Sequence, residues 1–227
     1  MHLTNMAKRC LTLGKLLELA TSKRRGLTLH VKFIENFNRE RWDQSMLHTK
    51  RISFREMVAE DWINVHKYAS QEIVSQYQPW GPNDENDSIT YVNEVINDAK
   101  KNPRGRYAFA TVENQSQMLI GSGELQITSL TNSVGEIGYV IHPDYWGKGF
   151  ATETGQLLLK FGFEVLQLHR IFATCDPRNR ASEKVLMKLD MKLEGKMRET
   201  IMLNDGWRDS LLFSMLEHEW TKKKGLG

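Results

Sequence analysis

Polar and apolar residues alternate through Lys50-Arg51-Ile52-Ser53-Phe54-Arg55-Glu56, the two-residue period of a strand with one face buried. The period then lengthens. Trp62, Val65, His66 and Ala69 recur at intervals of three and four in MVAEDWINVHKYAS, which predicts a helix, and the following QPWGPNDEND is dense in turn formers. In SITYVNEVINDAKK an apolar stripe of Tyr91, Val92, Val95, Ile96 and Ala99 predicts a second helix, with Ser88 as its N-cap and its end before Asn102-Pro103. Three strand-like runs come next, RYAFATVE, QMLIGSGELQIT and GEIGYVIH, joined by the short polar links ENQS and SLTNS, and they read as an antiparallel meander. Residues 150–166 return to helical spacing, with Ala151, Leu157, Leu158, Phe161 and Val165 on one face. HRIFATCD reads as a strand, ASEKVLMKLD as a helix, and KLEGKMRETIMLNDGWRDSLLFSMLEHEW as a hairpin turning at Asn204-Asp205-Gly206. The predicted order is β-α-α-β-β-β-α-β-α-β-β. Trp62, Trp207 and Trp220 are assigned to the core.

Charge divides the chain unevenly. Residues 1–45 hold nine Lys and Arg against four Asp and Glu, so the formal +3 of the 227 residues arises there and the rest is slightly acidic. The expected organisation is a basic extension, residues 1–45, followed by one domain, residues 46–227. A disordered tail, a read-through before an internal start at Met46 and an organelle transit peptide are three open readings of the extension. The mixed charge of residues 46–227 argues against nucleic-acid binding, which needs a basic face on the folded part. Cys10 and Cys175 are the two cysteines, and the seven histidines lack metal-ligand spacing, so neither a disulfide framework nor a metal site is expected. CLTLGKLLELA is broken by Lys15 and Glu18, which removes a membrane span and leaves the cytoplasm as the default compartment.

Chemistry concentrates at Trp146-Gly147-Lys148-Gly149-Phe150-Ala151-Thr152, where a strand gives way to a helix. A P-loop needs Ser or Thr after the lysine, and Gly149 stands there. A dinucleotide fingerprint needs a third glycine where Thr152 stands. A tight turn without a ligand remains the bland alternative. However, GEIGYVIHPDYWGKGFATE followed by DPRNRASEKVLMKLDMKLEG resembles the acetyl-CoA-binding core of the GNAT acetyltransferase superfamily. Its Arg/Gln-x-x-Gly-x-Gly/Ala signature appears as Trp146-x-x-Gly149-x-Ala151, departing at the first position. With Asn179-x-x-Ser182 and Gly206-Trp207-Arg208-Asp209-Ser210, the pattern is similar to the RimJ/RimL branch, over Thr49 to Trp220.

The resemblance implies a mixed α+β fold, a mostly antiparallel twisted sheet of about seven strands with helices on both faces. It implies acetyl-CoA as co-substrate, no metal, and direct attack by an amine within a ternary complex. Backbone amides and small residues at Trp146, Gly147, Lys148, Gly149, Ala151 and Thr152 are then expected around the pyrophosphate. Backbone groups near Ile141, on a strand splayed from its neighbour, are expected on the pantetheine arm, together with Asn179 and Ser182. Amine acetylation needs a base for the ammonium and a proton for the thiolate. Glu136 and Glu124 are the candidate bases, each acting through water, and Ser182 is the candidate acid. A strand salt bridge for either glutamate, and a helix cap for Asn179 and Ser182, are the structural alternatives. Tyr77 and Trp80 are assigned to the acceptor pocket, and Cys175 to the core as an inert thiol. The expected acceptor is a protein N-terminal α-amine. A small amine such as a polyamine, aminoglycoside or amino-acid analogue, or a non-catalytic CoA-binding module, are the alternatives, and a homodimer is left open.

Overall fold

The computed structural model describes residues 47–203 and 205–225. The expected extension, residues 1–45, lies outside the described residues. Strands β1 (Ile52–Glu56), β2 (Arg106–Glu113), β3 (Leu119–Ser129), β4 (Val134–Ile141), β5 (Arg170–Cys175), β6 (Lys192–Leu203) and β7 (Gly206–Leu216) form one sheet. Their spatial order is β1-β2-β3-β4-β5-β7-β6. Each neighbouring pair is antiparallel except β4 and β5, which run parallel because a helical crossover joins them.

Three helices lie between β1 and β2: α1 (Trp62–Ala69), the single turn α2 (Glu72–Ser75) and α3 (Glu85–Ala99). Val65 and Tyr68 of α1, with Val92 and Val95 of α3, pack against Ala108, Ala110, Val112 and Leu119 of the sheet, and Trp62, Trp80 and Val140 close this cluster from its margin. Helix α4 (Phe150–Lys160) continues into a wider π turn at Phe161–Val165, and α5 (Arg180–Lys188) follows β5. These two helices meet closely, since a Cβ on Gly155 of α4 would lie 2.5 Å from Leu189 at the end of α5. Phe161 meets Phe109 of β2 edge to face at 5.3 Å, which ties the π turn to the sheet.

The alternating and helical periods locate the predicted strands and helices, and four details differ. First, α3 begins a turn earlier than expected. Asp84 is its N-cap, its Oδ1 accepting from the Asp87 amide at 2.8 Å while Asp87 Oδ2 accepts from the Asp84 amide at 3.2 Å. Ser88 is instead fully buried, its hydroxyl donating to the Asp84 carbonyl at 3.1 Å. Second, Trp207 is 55% exposed. It sits where β7 extends past β5, whose pairing with β7 covers Leu211–Leu216, so that among the described residues this part of β7 pairs with β6 alone. Third, Glu217–Gly225 is helical, α6, where the sequence pattern suggested continuing strand. The Leu216 amide donates to Glu219 there at 3.0 Å. Trp220 is half-buried, stacking on Phe163 at 5.8 Å and donating its indole N–H to Glu164 at 3.0 Å. Fourth, α2 is a helical turn inside the expected loop.

Candidate active site

Sheet pairing sets the position of the site. β4 and β5 pair through Val134, Gly135 and Glu136 with Arg170, Ile171 and Phe172, and beyond these β5 continues its pairing with β7 alone. The ends of β4 and β5 therefore diverge. The His142 amide donates to Ile120 of β3 at 2.8 Å, so the peptide groups of Ile141 and Tyr139 turn to the opposite, diverging side. On that side the Ile141 carbonyl already accepts the Trp146 indole N–H at 2.6 Å. This contact explains how Trp146 stands where the family signature has Arg or Gln: its ring fastens the loop to the end of β4.

The loop between β4 and α4 follows directly. Gly147 and Gly149 adopt φ of +73° and +85°, a left-handed backbone that favours glycine. Gly149 is the N-cap of α4, and no side chain among the described residues caps this helix. Its first amides, those of Phe150, Ala151 and Thr152, are thus left for a ligand or solvent. A Cβ built on Gly147 would meet nothing within 4 Å, whereas one on Gly149 would lie 3.2 Å from Arg51 Nη2. One side of the loop is open and the other is covered. Lys148 folds back, donating to the Asp144 carbonyl at 2.8 Å.

Covering the loop are two residues that the sequence did not single out. Arg51, just before β1, donates from Nη1 to the Lys148 carbonyl at 2.9 Å and from Nε to Glu153 Oε1 at 2.6 Å, and lies over the Phe150 ring at 4.6 Å. Thr49 donates to Glu153 Oε2 at 2.6 Å. Both partners are about a hundred residues away in the chain, beyond the reach of any local pattern.

Helix α5 begins on the other side of the divergence. Asn179 is its N-cap, with Oδ1 accepting from the Ser182 amide at 3.0 Å. The Ser182 hydroxyl lies 3.3 Å from the Tyr139 hydroxyl of β4. Burial pushes the Tyr139 phenol up to about 12, so it stays protonated at neutral pH. Burial likewise pushes the Cys175 thiol up to about 11, with the neighbouring Glu183 and Asp176 adding to the effect. A protonated, buried thiol is the inert species expected from the sequence. No sequence motif marks Tyr139, but its odd spacing from Glu136 puts the two side chains on opposite faces of β4.

On the face shared with α1 and α3, Glu136 Oε1 accepts from Thr174 Oγ1 of β5 at 3.3 Å, where the pairing of the two strands ends. Glu124 is bound elsewhere: Arg106 donates to it at 2.8 Å and to Asp98 at 3.2 Å. Burial opposes the charge of Arg106, yet these carboxylates hold its pKa above the ordinary range. The salt-bridge alternative is thus what Glu124 does in this structure. Tyr77, in the segment between α2 and α3, lies 5.6 Å under the Arg178 guanidinium, beside the loop that leads into α5. Trp80, partly buried, packs against the α1–α3 cluster. Among the described residues no group of three His, Cys, Asp or Glu side chains is gathered for a metal, and no helix is long and apolar enough to cross a membrane.

A sheet opened between its parallel strands, with a glycine-capped helix at the opening, is the architecture of an acyl-CoA-dependent transferase. Residues 51–192 match the family described as acetyltransferase (GNAT) domain. The chain is 34% identical over 172 residues to the uncharacterized N-acetyltransferase YnaD of Bacillus subtilis, covering 76% of this chain and 97% of that one. It superposes on the GNAT-family acetyltransferase of Bacillus anthracis with a TM-score of 0.68 at 32% identity, covering 76% of this chain and 99% of that chain. More distantly, it is 28% identical over 85 residues to the [ribosomal protein uS5]-alanine N-acetyltransferase of Escherichia coli, covering 37% of this chain and 44% of that one. Its fold also matches spermidine N-acetyltransferase from Vibrio cholerae in complex with CoA and spermine, with a TM-score of 0.65 at 20% identity, covering 76% and 99% of the two chains. The chain belongs to the GNAT acetyltransferase family and is an N-acetyltransferase.

Proposed function

We propose that the protein acetylates the α-amine of a protein N-terminus, by direct attack on acetyl-CoA in a ternary complex. The observation that carries the acetyl-CoA part of this reading is the meeting of a helix N-terminus without a side-chain cap with the divergence of β4 and β5. The fit to acetyl-CoA is physical: the open side of Gly147 admits a phosphate, the α4 amides offer it hydrogen bonds, and the diverging edge of β4 gives an extended arm a main-chain track. Bound there, acetyl-CoA supplies an activated thioester carbonyl.

The roles of the chain's own groups follow from their sides of the sheet. Gly147, Lys148, Gly149, Ala151 and Thr152 hold the pyrophosphate through main-chain amides. Trp146 fixes the loop, and the outward amide of Ile141 and the Asn179 side chain hold the pantetheine arm. Glu136 takes the proton of the attacking ammonium through water, from the α1–α3 face. Ser182 gives its hydroxyl proton to the departing sulfur from the opposite face, beside Tyr139, and regains one through water as the new amide nitrogen sheds its second proton. Acid and base thus approach one opening from two sides and stay apart. Glu124, held by Arg106, serves as a counter-ion in this reading. Tyr77 and Trp80 border the acceptor entrance.

A protein N-terminus is preferred to a polyamine because Asp84 and Asp87, two acids of the 83–88 segment, are spent on capping α3. Consumption of acetyl-CoA supports the cytoplasm as the compartment. The test is an acceptor screen that follows thiol release from acetyl-CoA with peptides, polyamines and aminoglycosides. Peptides with a free α-amine are expected to be turned over, and the same peptides with a blocked N-terminus are not. Faster turnover of spermidine than of any peptide would replace this acceptor class. CoA binding without turnover of any amine would make the protein a binding module.

A further inference from the structure

Arg51 stands outside every motif, yet it makes four separate contacts with the glycine loop and the start of α4. Its Nη1 donates to the Lys148 carbonyl at 2.9 Å, its Nε donates to Glu153 at 2.6 Å, its guanidinium also forms an ion pair with Glu153, and it lies over Phe150 at 4.6 Å. The first contact fixes the orientation of a peptide group. In a planar trans peptide the carbonyl and the following N–H point in opposite directions. Holding the Lys148 carbonyl against Arg51 therefore aims the Gly149 N–H away from it. Two residues earlier the loop is open, since a Cβ at Gly147 would meet nothing within 4 Å.

The contacts with Glu153 act on charge. A carboxylate in the first turn of a helix is favoured by the helix dipole, but it repels a second anion at the same place. Arg51 engages one oxygen of Glu153 and Thr49 the other, each at 2.6 Å, which draws this carboxylate to the β1 side and neutralises it. Arg51 is exposed, its side chain 43% accessible, but its donors are turned to the Lys148 carbonyl and to Glu153. It acts through the loop.

We infer that Arg51 is a positioning residue for acetyl-CoA: it presets the loop amides toward the pyrophosphate and removes the competing charge of Glu153. This inference rests on the proposed placement of the pyrophosphate at the glycine loop, and the test separates the two. CoA and pantetheine, which lacks the pyrophosphate and nucleotide, are titrated calorimetrically into the full chain. Turnover is followed with acetyl-CoA and with S-acetylpantetheine. If wild-type protein binds pantetheine as tightly as CoA, the loop placement fails whatever Arg51 does.

If wild type prefers CoA, Arg51→Ala is expected to bind CoA about ten-fold more weakly. It should raise KM for acetyl-CoA without lowering kcat, and leave S-acetylpantetheine kinetics unchanged. Arg51→Lys keeps a charge opposite Glu153 and loses the fork that also reaches the Lys148 carbonyl, so it should recover only part of the loss. Full recovery by Arg51→Lys, an equal loss with S-acetylpantetheine, or wild-type CoA affinity in Arg51→Ala would each overturn the inference. Should circular dichroism show Arg51→Ala unfolded, Arg51→Lys decides: weakened CoA with unchanged pantetheine handling supports it, and wild-type affinity overturns it.

Discussion

Helices α4 and α5 both begin at the open end of the sheet, but they begin differently. α4 starts on Gly149, in a left-handed conformation, with no side chain among the described residues on its amides. α5 starts on Asn179, whose side chain already accepts from the Ser182 amide at 3.0 Å. An uncapped start keeps its amides available to an anion, and a self-capped start spends one of them and fixes the direction of its first turn. The difference teaches how one opening serves two tasks. In the proposed function α4 contributes main chain for binding, and α5 contributes a side chain, Ser182, for proton transfer.

Disrupting the uncapped start should have the largest effect. Gly149→Val is expected to weaken CoA by about a hundred-fold, because a branched side chain intrudes on the anion's approach. Its left-handed φ adds a stability cost of about 1–2 kcal/mol, so calorimetry is done on protein shown to be folded. Wild-type CoA affinity in the folded variant would remove the pyrophosphate from this loop. Next in size is Ser182→Ala, expected to slow single turnover about ten- to a hundred-fold while CoA affinity changes little, as loss of an acid requires. Undiminished chemistry in a less stable protein would make Ser182 part of the cap only.

Asn179→Ala tests whether the capped start also binds. It should lower stability by about 1 kcal/mol in urea titration and, if Asn179 holds the pantetheine arm, weaken S-acetylpantetheine as much as acetyl-CoA. A stability loss with unchanged substrate handling would reduce it to a cap. The smallest functional effect is expected from Asp84→Ala, which removes the cap of α3, away from the opening. Stability should again fall by about 1 kcal/mol, with kcat and KM unchanged in the folded fraction. A change in KM there would show that the start of α3 shapes the acceptor entrance.

How much of this was legible in the sequence depends on the range of each interaction. The strands of the meander and the stripe of α3 are written in local periodicity, and the glycines of the loop mark their own backbone conformation. Asp84 and Ser88 show the limit of local reading: both are good caps, and Asp84 wins because Asp87 completes a reciprocal pair. Trp207 shows a second limit. Its apolar ring suggests burial, but burial depends on whether another layer reaches the tip of the β6–β7 hairpin. Arg51 and Thr49 lie wholly beyond local pattern, since their partner Glu153 comes close only when β1 and α4 are folded. The strand position of Glu124 suggests a base, whereas Arg106, the neighbour that occupies it, is set by cross-strand register.

The three residue pairs between β4 and β5 are also a seam between two halves of the sheet. Amide hydrogen exchange should reveal it as an every-other-residue pattern on one strand. The amides of Tyr139 and Ile141, turned to the diverging side, should exchange faster than those of Gly138 and Val140, which face β3. A ligand lying in the seam bridges both halves, and mass action then makes it a stabiliser of the whole domain. Saturating CoA at a hundred times its Kd adds about 2.7 kcal/mol to the unfolding free energy. The same CoA should slow exchange at Tyr139 and Ile141 beyond this global increment, because there it closes the edge that folding alone leaves open.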